Sequence, residues 1–213
     1  MTDGDLRWFQ WHSRYDDLES EEAERLEIVQ QLLVCALDEA APGASLTAVS
    51  VCAGQARDLL PVLINHPRGR SVSARLVEAD PLNASFLHGA LGSTDLPAVE
   101  LVLGDGGDTG NYRGAVPADV VLLGGVFANI DSADAHRTVA ALPGFCSPGA
   151  IVVWSSYGRR LPEAASLLAQ LEQGPFHRHT LWHGTRSEFL VAAHRYTGTG
   201  AELPTAETLF SFS

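Results

Sequence analysis

The chain of 213 residues carries 26 acidic residues against 14 basic ones, a formal net charge of −12, and every basic residue is an arginine. The absence of lysine excludes a Schiff-base lysine and a phosphate-cradling P-loop lysine, and the acidic balance argues against nucleic acid, which needs a basic stripe. Cys35, Cys52 and Cys146 form no CxxC pair, so no metal site and no disulfide framework is expected. The length suits one domain.

In chain order, residues 1–45 are expected to form an N-terminal arm and helix that cap the same domain. Trp8, Phe9, Trp11, His12 and Tyr15 make the arm aromatic. It lacks the apolar stretch of a secretion signal, and no later run reaches the ~18 residues of a spanning helix. A cytoplasmic chain without a membrane partner is the expectation. Ser20 before Glu21 and Glu22 reads as a helix N-cap followed by acids that suit the positive helix end. Leu26, Val29, Leu33 and Leu37 recur at helical spacing, which predicts a helix over 21–40 that Pro42-Gly43 ends.

From residue 46 short apolar runs alternate with helix-length segments. Strands are predicted over 46–52, 74–78, 99–103, 119–123 and 150–154, with helices over 56–66, 81–91, 132–142 and 161–173. Strands without strict alternation, separated by helices, imply a parallel sheet covered on both faces. The runs 179–183 and 188–196 leave no room for a helix between them and predict an antiparallel hairpin. Residues 197–213 read as a loosely held tail in which Leu209, Phe210 and Phe212 are able to dock.

In a sheet of this kind ligands bind beyond the carboxyl ends of the strands. The first strand ends in Cys52-Ala53-Gly54-Gln55-Ala56-Arg57-Asp58, a turn of mostly small residues. The second ends in Glu78-Ala79-Asp80-Pro81. Glu78 stands 24 positions after Gly54, the arrangement that holds ribose hydroxyls, whereas Asp80 before Pro81 reads as a helix cap. The third ends in Gly104-Asp105-Gly106, where an Asp accepts from a purine amine or simply makes a turn. The fourth ends in Gly124-Gly125, which permits close backbone approach, followed by Phe127, a ring wall or core filler.

The Gly54 turn, Glu78, Gly104-Asp105 and the terminal hairpin together resemble the class I S-adenosylmethionine-dependent methyltransferases over about 46–196. The segments WHSRYDD (11–17), SVCAGQARDLL (50–60), LVEADPLN (76–83), PADVVLLGGVFANIDSADAHRTVAAL (117–142) and PGAIVVW (148–154) resemble a small actinobacterial methyltransferase-like set without an assigned substrate. The resemblance implies an α/β, Rossmann-like, mostly parallel sheet of seven strands with the last antiparallel. It implies S-adenosylmethionine as cofactor. Ala53, Gly54 and Gln55 would line its methionine portion and Glu78 would hold the ribose. Ala79 would abut the adenine, Asp105 and Gly106 would read the adenine amine, and Gly124 would offer its carbonyl to the ammonium. Two positions depart from the family's three spaced glycines: Cys52 and Ala56 each add a Cβ near the cofactor's amino-acid end.

The expected acceptor is a small, neutral molecule, methylated on O or N. With no lysine, the base candidates are His12 and Tyr15 in the arm, which would act as a lid or simply staple the arm to the core. His136 is expected on a helix surface. Arg159 and Arg160 follow the fifth strand as a solvated pair or an anion clamp. His177, His179 and His183 are placed on one strand face, a spacing compatible with a metal but more often bland. Two other readings stay open, a non-catalytic S-adenosylmethionine-binding scaffold and a nicotinamide-dependent oxidoreductase.

Overall fold

The structure, a computed structural model, describes residues 9–184 and 188–212. Trp8 and residues 185–187 of the predicted hairpin turn lie outside them. The first long helix, α1, runs Glu21–Glu39. Ser20 caps it as expected, its Oγ accepting from the Ala23 N–H at 3.1 Å. Its inner face carries Ile28, Val29, Leu33, Ala36 and Leu37, the stripe that the helical period foretold. That face also buries Arg25.

Seven strands follow: β1 (Leu46–Val51), β2 (Val72–Glu78), β3 (Val99–Leu103), β4 (Ala118–Leu123), β5 (Cys146–Tyr157), β6 (Phe176–His183) and β7 (Phe189–Tyr196). They form one sheet in the order β3-β2-β1-β4-β5-β7-β6. The first five strands pair in parallel, and β7 pairs antiparallel with both β5 and β6. The connecting helices are α2 (Leu59–Asn65), α3 (Pro81–Gly92), α4 (Ser132–Ala141) and α5 (Leu161–Gln173). The predicted Rossmann-like sheet with a terminal antiparallel hairpin is therefore the observed fold.

Alternation along the strands divides the core into two layers. Val49, Val51, Val121, Leu123 and Trp154 face one side. Ala48, Leu76, Val120, Leu122 and Val153 face the other. Successive residues of a strand point to opposite faces, and both faces of the central strands are covered, so β1 and β4 are almost wholly buried while the edge strands β3 and β6 are largely exposed. Phe127 is core filler, packed edge-on against Trp154 with centroids 5.4 Å apart. Beside it, Trp154 Nε1 donates to Nδ1 of the fully buried His194 at 3.2 Å. Burial holds that imidazole down at about 4.

Four details differ from expectation for identifiable reasons. The helix after β1 starts at Leu59 rather than 56, because Ala56 is left-handed at φ 47°. β5 extends well past 154 because Ser155 and Ser156 are buried strand residues with polar side chains. A register shift between Arg178 and Thr180 interrupts β6 at His179, so the three histidines do not share one regular face. No metal-binding group of His, Cys, Asp and Glu exists among the described residues. Finally, the tail is docked rather than loose: Asp108 bridges Thr208, Ile130 bridges Phe212, and Phe210 is fully buried. Among the described residues no helix is long and apolar enough to cross a membrane.

Candidate active site

The strand order reverses between β1 and β4, and a crevice opens there beyond the carboxyl ends. It encloses about 850 Å³, its open mouth included. The strand ends supply Cys52, Ala53, Glu78, Ala79, Gly124 and Gly125; the arm supplies Trp11, His12 and Tyr15; the tail supplies Phe212.

The turn after β1 keeps a three-glycine shape with one glycine. Cys52, Gly54 and Ala56 have φ of 55°, 58° and 47°. The left-handed region costs a residue with a Cβ roughly 1–2 kcal/mol, so Cys52 and Ala56 hold strain next to the cavity. Cys52 is accommodated by its neighbour: a Cβ on Gly106 would stand 2.4 Å from the Cys52 Sγ, whereas none is there. Burial, with Glu78 and Asp105 nearby, pushes the Cys52 thiol well above its ordinary value, so it stays protonated.

Glu78 ties two strand ends together. Its Oε2 accepts from the Gly54 N–H at 2.6 Å and its Oε1 from the Asp80 N–H at 2.8 Å. Desolvation nevertheless raises its pKa. Asp80 caps α3 as expected, Oδ1 accepting from the Leu82 N–H at 2.7 Å. Its other oxygen, Oδ2, is buried without a hydrogen-bond partner, and so is Oδ1 of the adjacent Asn83. Both residues line the cavity beside Glu78 and Ala79.

Of the other expected cofactor residues, Ala53 and Gly124 also face the cavity. Gly54 and Gln55 sit in its turn beneath the arm. Asp105 and Gly106 belong to the next strand end, outside the cavity wall, where Asp105 Oδ1 accepts from the Gly107 N–H and the Gly106 carbonyl accepts from the Tyr112 hydroxyl.

The arm is closed over the turn. The backbone N–H of Gln55 donates to His12 Nε2 at 3.3 Å, and a Cβ on Gly54 would come within 2.4 Å of that nitrogen. Arg57 donates to Asp16 at 2.6 Å, and Arg14 to Glu22 at 2.9 Å. Arg25 fastens the rest. Its guanidinium donates to the Tyr15 hydroxyl at 3.1 Å and to Ser155 Oγ at 3.2 Å. It also lies 4.7 Å from the Tyr157 ring and 5.7 Å from Trp11, positions in which a cation is attracted to ring faces. Desolvation pushes Tyr15 up to about 12, so its phenol remains protonated at neutral pH. His136 packs between α4 and α5 against Gln170, and Arg160 reaches Glu163 at 3.6 Å.

One carboxylate that lines the cavity stands in the sequence only as part of the turn. Asp58 caps α2 through Oδ1, which accepts from the Leu59 N–H at 2.7 Å. Its Oδ2 approaches Gly124, where a Cβ would stand 3.0 Å away. Desolvation raises its pKa to about 6 against the opposing charge of Arg25. A helix-cap signature hides such a residue, because capping explains one oxygen and says nothing of the other.

No family model matches the chain, and no curated protein matches it in sequence. Solved structures do match in shape. A possible exported protein from Bordetella parapertussis superposes at TM-score 0.64 with 16% identity, over 82% of this chain and 68% of its own. An rRNA methylase from Streptococcus thermophilus gives 0.57 with 11% identity, over 78% and 95%. A SAM-dependent methyltransferase from Aquifex aeolicus gives 0.56 with 10% identity, over 87% and 98%. At such identities the likeness is one of fold: the chain has the Rossmann-like methyltransferase fold.

Proposed function

We propose that the protein is an S-adenosylmethionine-dependent methyltransferase acting on a small-molecule acceptor, by O- or N-methylation. The observation that carries this reading is the Glu78 carboxylate, which lines the cavity at the end of β2. Its two oxygens each accept one backbone N–H, from Gly54 and Asp80, and each keeps a lone pair for a further donor. The two ribose hydroxyls of the cofactor are donors of the right number. Ala53 and Ala79 leave room for a ligand against the backbone. The Gly124 carbonyl and Asp58 Oδ2 suit an ammonium. In the family reading, Asp105 and Gly106 would complete the adenine end.

The cofactor supplies a methyl group already activated on a sulfonium, so the protein's work is positioning and exclusion of water. The arm, residues 9–16, does the excluding: Trp11, His12 and Tyr15 form the cavity's outer wall. Residues 46–196 are then the catalytic body, 1–45 its cap and 197–213 a second strap. His12 and Tyr15 act through closure, since His12 engages the turn and Tyr15 is held as a neutral phenol.

The enclosed cavity and the net charge of −12 favour a small acceptor over a polynucleotide. The closed arm also favours a second reading, a non-catalytic binding protein. A nicotinamide enzyme would share the ribose acceptors but not the antiparallel β7. Calorimetry against S-adenosylmethionine, S-adenosylhomocysteine and NAD tests the proposal, and binding of NAD alone refutes it. Transfer of labelled methyl into a metabolite extract then separates enzyme from scaffold.

A further inference from the structure

We propose that the β4–β5 end of the cavity is a recognition subsite for a neutral aromatic hydroxyl, a phenol-type group carried by the acceptor. That the ligand is a methyl acceptor rests on the reading above. The recognition itself rests on Asn129 and Tyr157, which both line the cavity.

The orientation of their polar atoms follows from hydrogen-bond logic. Asn129 Nδ2 donates to the Gly125 carbonyl at 2.8 Å and to the Tyr157 hydroxyl oxygen at 3.1 Å. A carbonyl only accepts, so the amide nitrogen must face Gly125, and Asn129 Oδ1 is turned the other way. The Tyr157 oxygen receives the amide proton, so its own proton is left to donate. Neither Asn129 Oδ1 nor the Tyr157 proton has a partner among the described residues, and both side chains are only half-buried. Two contacting side chains of the cavity lining thus carry one spare donor and one spare acceptor between them.

Few groups answer both. A neutral hydroxyl accepts from Tyr157 and donates to Asn129. An ether or a carboxylate has no proton for Asn129, and an ammonium has no lone pair for Tyr157. The surroundings fix the remainder of the ligand. Trp11, Tyr15, Phe212 and Val126 wall the space with rings and aliphatic carbon, which suits a flat apolar body. Of the nearby cations, Arg25 lies 5% exposed behind the rings, donating to Tyr15 and Ser155, and Arg57 is paired with Asp16.

The probe is 2-naphthol, with 2-methoxynaphthalene and 2-naphthoate as controls, titrated by saturation-transfer NMR with and without S-adenosylhomocysteine. We expect 2-naphthol to bind about tenfold tighter than either control, the effect of one satisfied buried pair. Tyr157→Phe keeps the ring against Trp11 and Arg25 and should reduce 2-naphthol to the affinity of the ether; Asn129→Ala should do the same. Equal binding of either control, or an undiminished preference in Tyr157→Phe, overturns the proposal. A hydroxyl preference without S-adenosylhomocysteine binding keeps the subsite and sinks the methyltransferase reading; the converse result sinks the subsite alone.

Discussion

Replacing Asp58 by asparagine should stabilise the protein at pH 8 and change little at pH 4. Asparagine keeps the oxygen that caps Leu59 and removes only the charge. In the folded chain burial raises the Asp58 pKa from 3.8 to about 6, so between those values the folded state holds a proton that the unfolded state has lost. Stability therefore falls as pH rises through this window. A gap of about two pKa units corresponds to ~3 kcal/mol, which partial contact with the open cavity trims to about 2 kcal/mol. Urea denaturation of both proteins at pH 4, 6 and 8 measures it. At pH 8 the gain should appear as a melting temperature about 4–8 °C higher. An equal increment at all three pH values would refute the reasoning, because the effect would then be packing and not charge. A destabilising carboxylate kept in a cavity is what a functional site retains at the expense of stability. If an ammonium docks against it, S-adenosylhomocysteine binding at pH 6 should release protons in the wild type but not in Asp58→Asn.

Glu78→Gln offers an N–H where Gly54 or Asp80 also offers one. It should cost about 2–3 kcal/mol and weaken S-adenosylhomocysteine binding in calorimetry; a melting curve matching the wild type's would show that the carboxylate is not the tie. Gly54→Ala drives a Cβ into His12, so the arm should lift; faster proteolysis within residues 9–16 is the expected readout, and unchanged cleavage counts against the docked arm. His194 has the opposite sign to Asp58. Its folded pKa of about 4 lies below its ordinary 6.5, so the unfolded chain binds more protons between those values and stability should climb by about 3 kcal/mol as pH rises through them. The climb should be clearest in the Asp58→Asn background and absent when His194→Gln is added.

The sheet was legible because apolar runs and helix periods report burial directly. Ser20 and Asp80 were legible because a cap has one dominant use; the place of Glu78 at the end of β2 was legible too, but not its two backbone bonds to Gly54 and Asp80. Arg25 was not: on a helix of alternating polar and apolar residues its type suggests solvent, and only the fold brings Tyr15, Ser155 and Tyr157 around it. Asn129 stayed hidden for the same reason, since its meaning depends on Tyr157, 28 positions away. Ser155 and Ser156 masked the end of β5 because a buried serine looks like a loop residue until its neighbours are known. The tail looked weakly anchored because Gly, Thr and Pro dominate it, while two bridges and Phe210 hold it in place.

The contact between Cys52 and Gly106 bears on how this turn can evolve. The thiol occupies the hollow left by the missing side chain at 106, so a larger residue there must displace it. Glycine at 52 would relieve the left-handed strain and empty that hollow at the same time. The two sites are therefore coupled: a side chain at 106 requires the Cys52 thiol to turn away, and even with glycine at 52 it would stand 3.2 Å from the backbone nitrogen there.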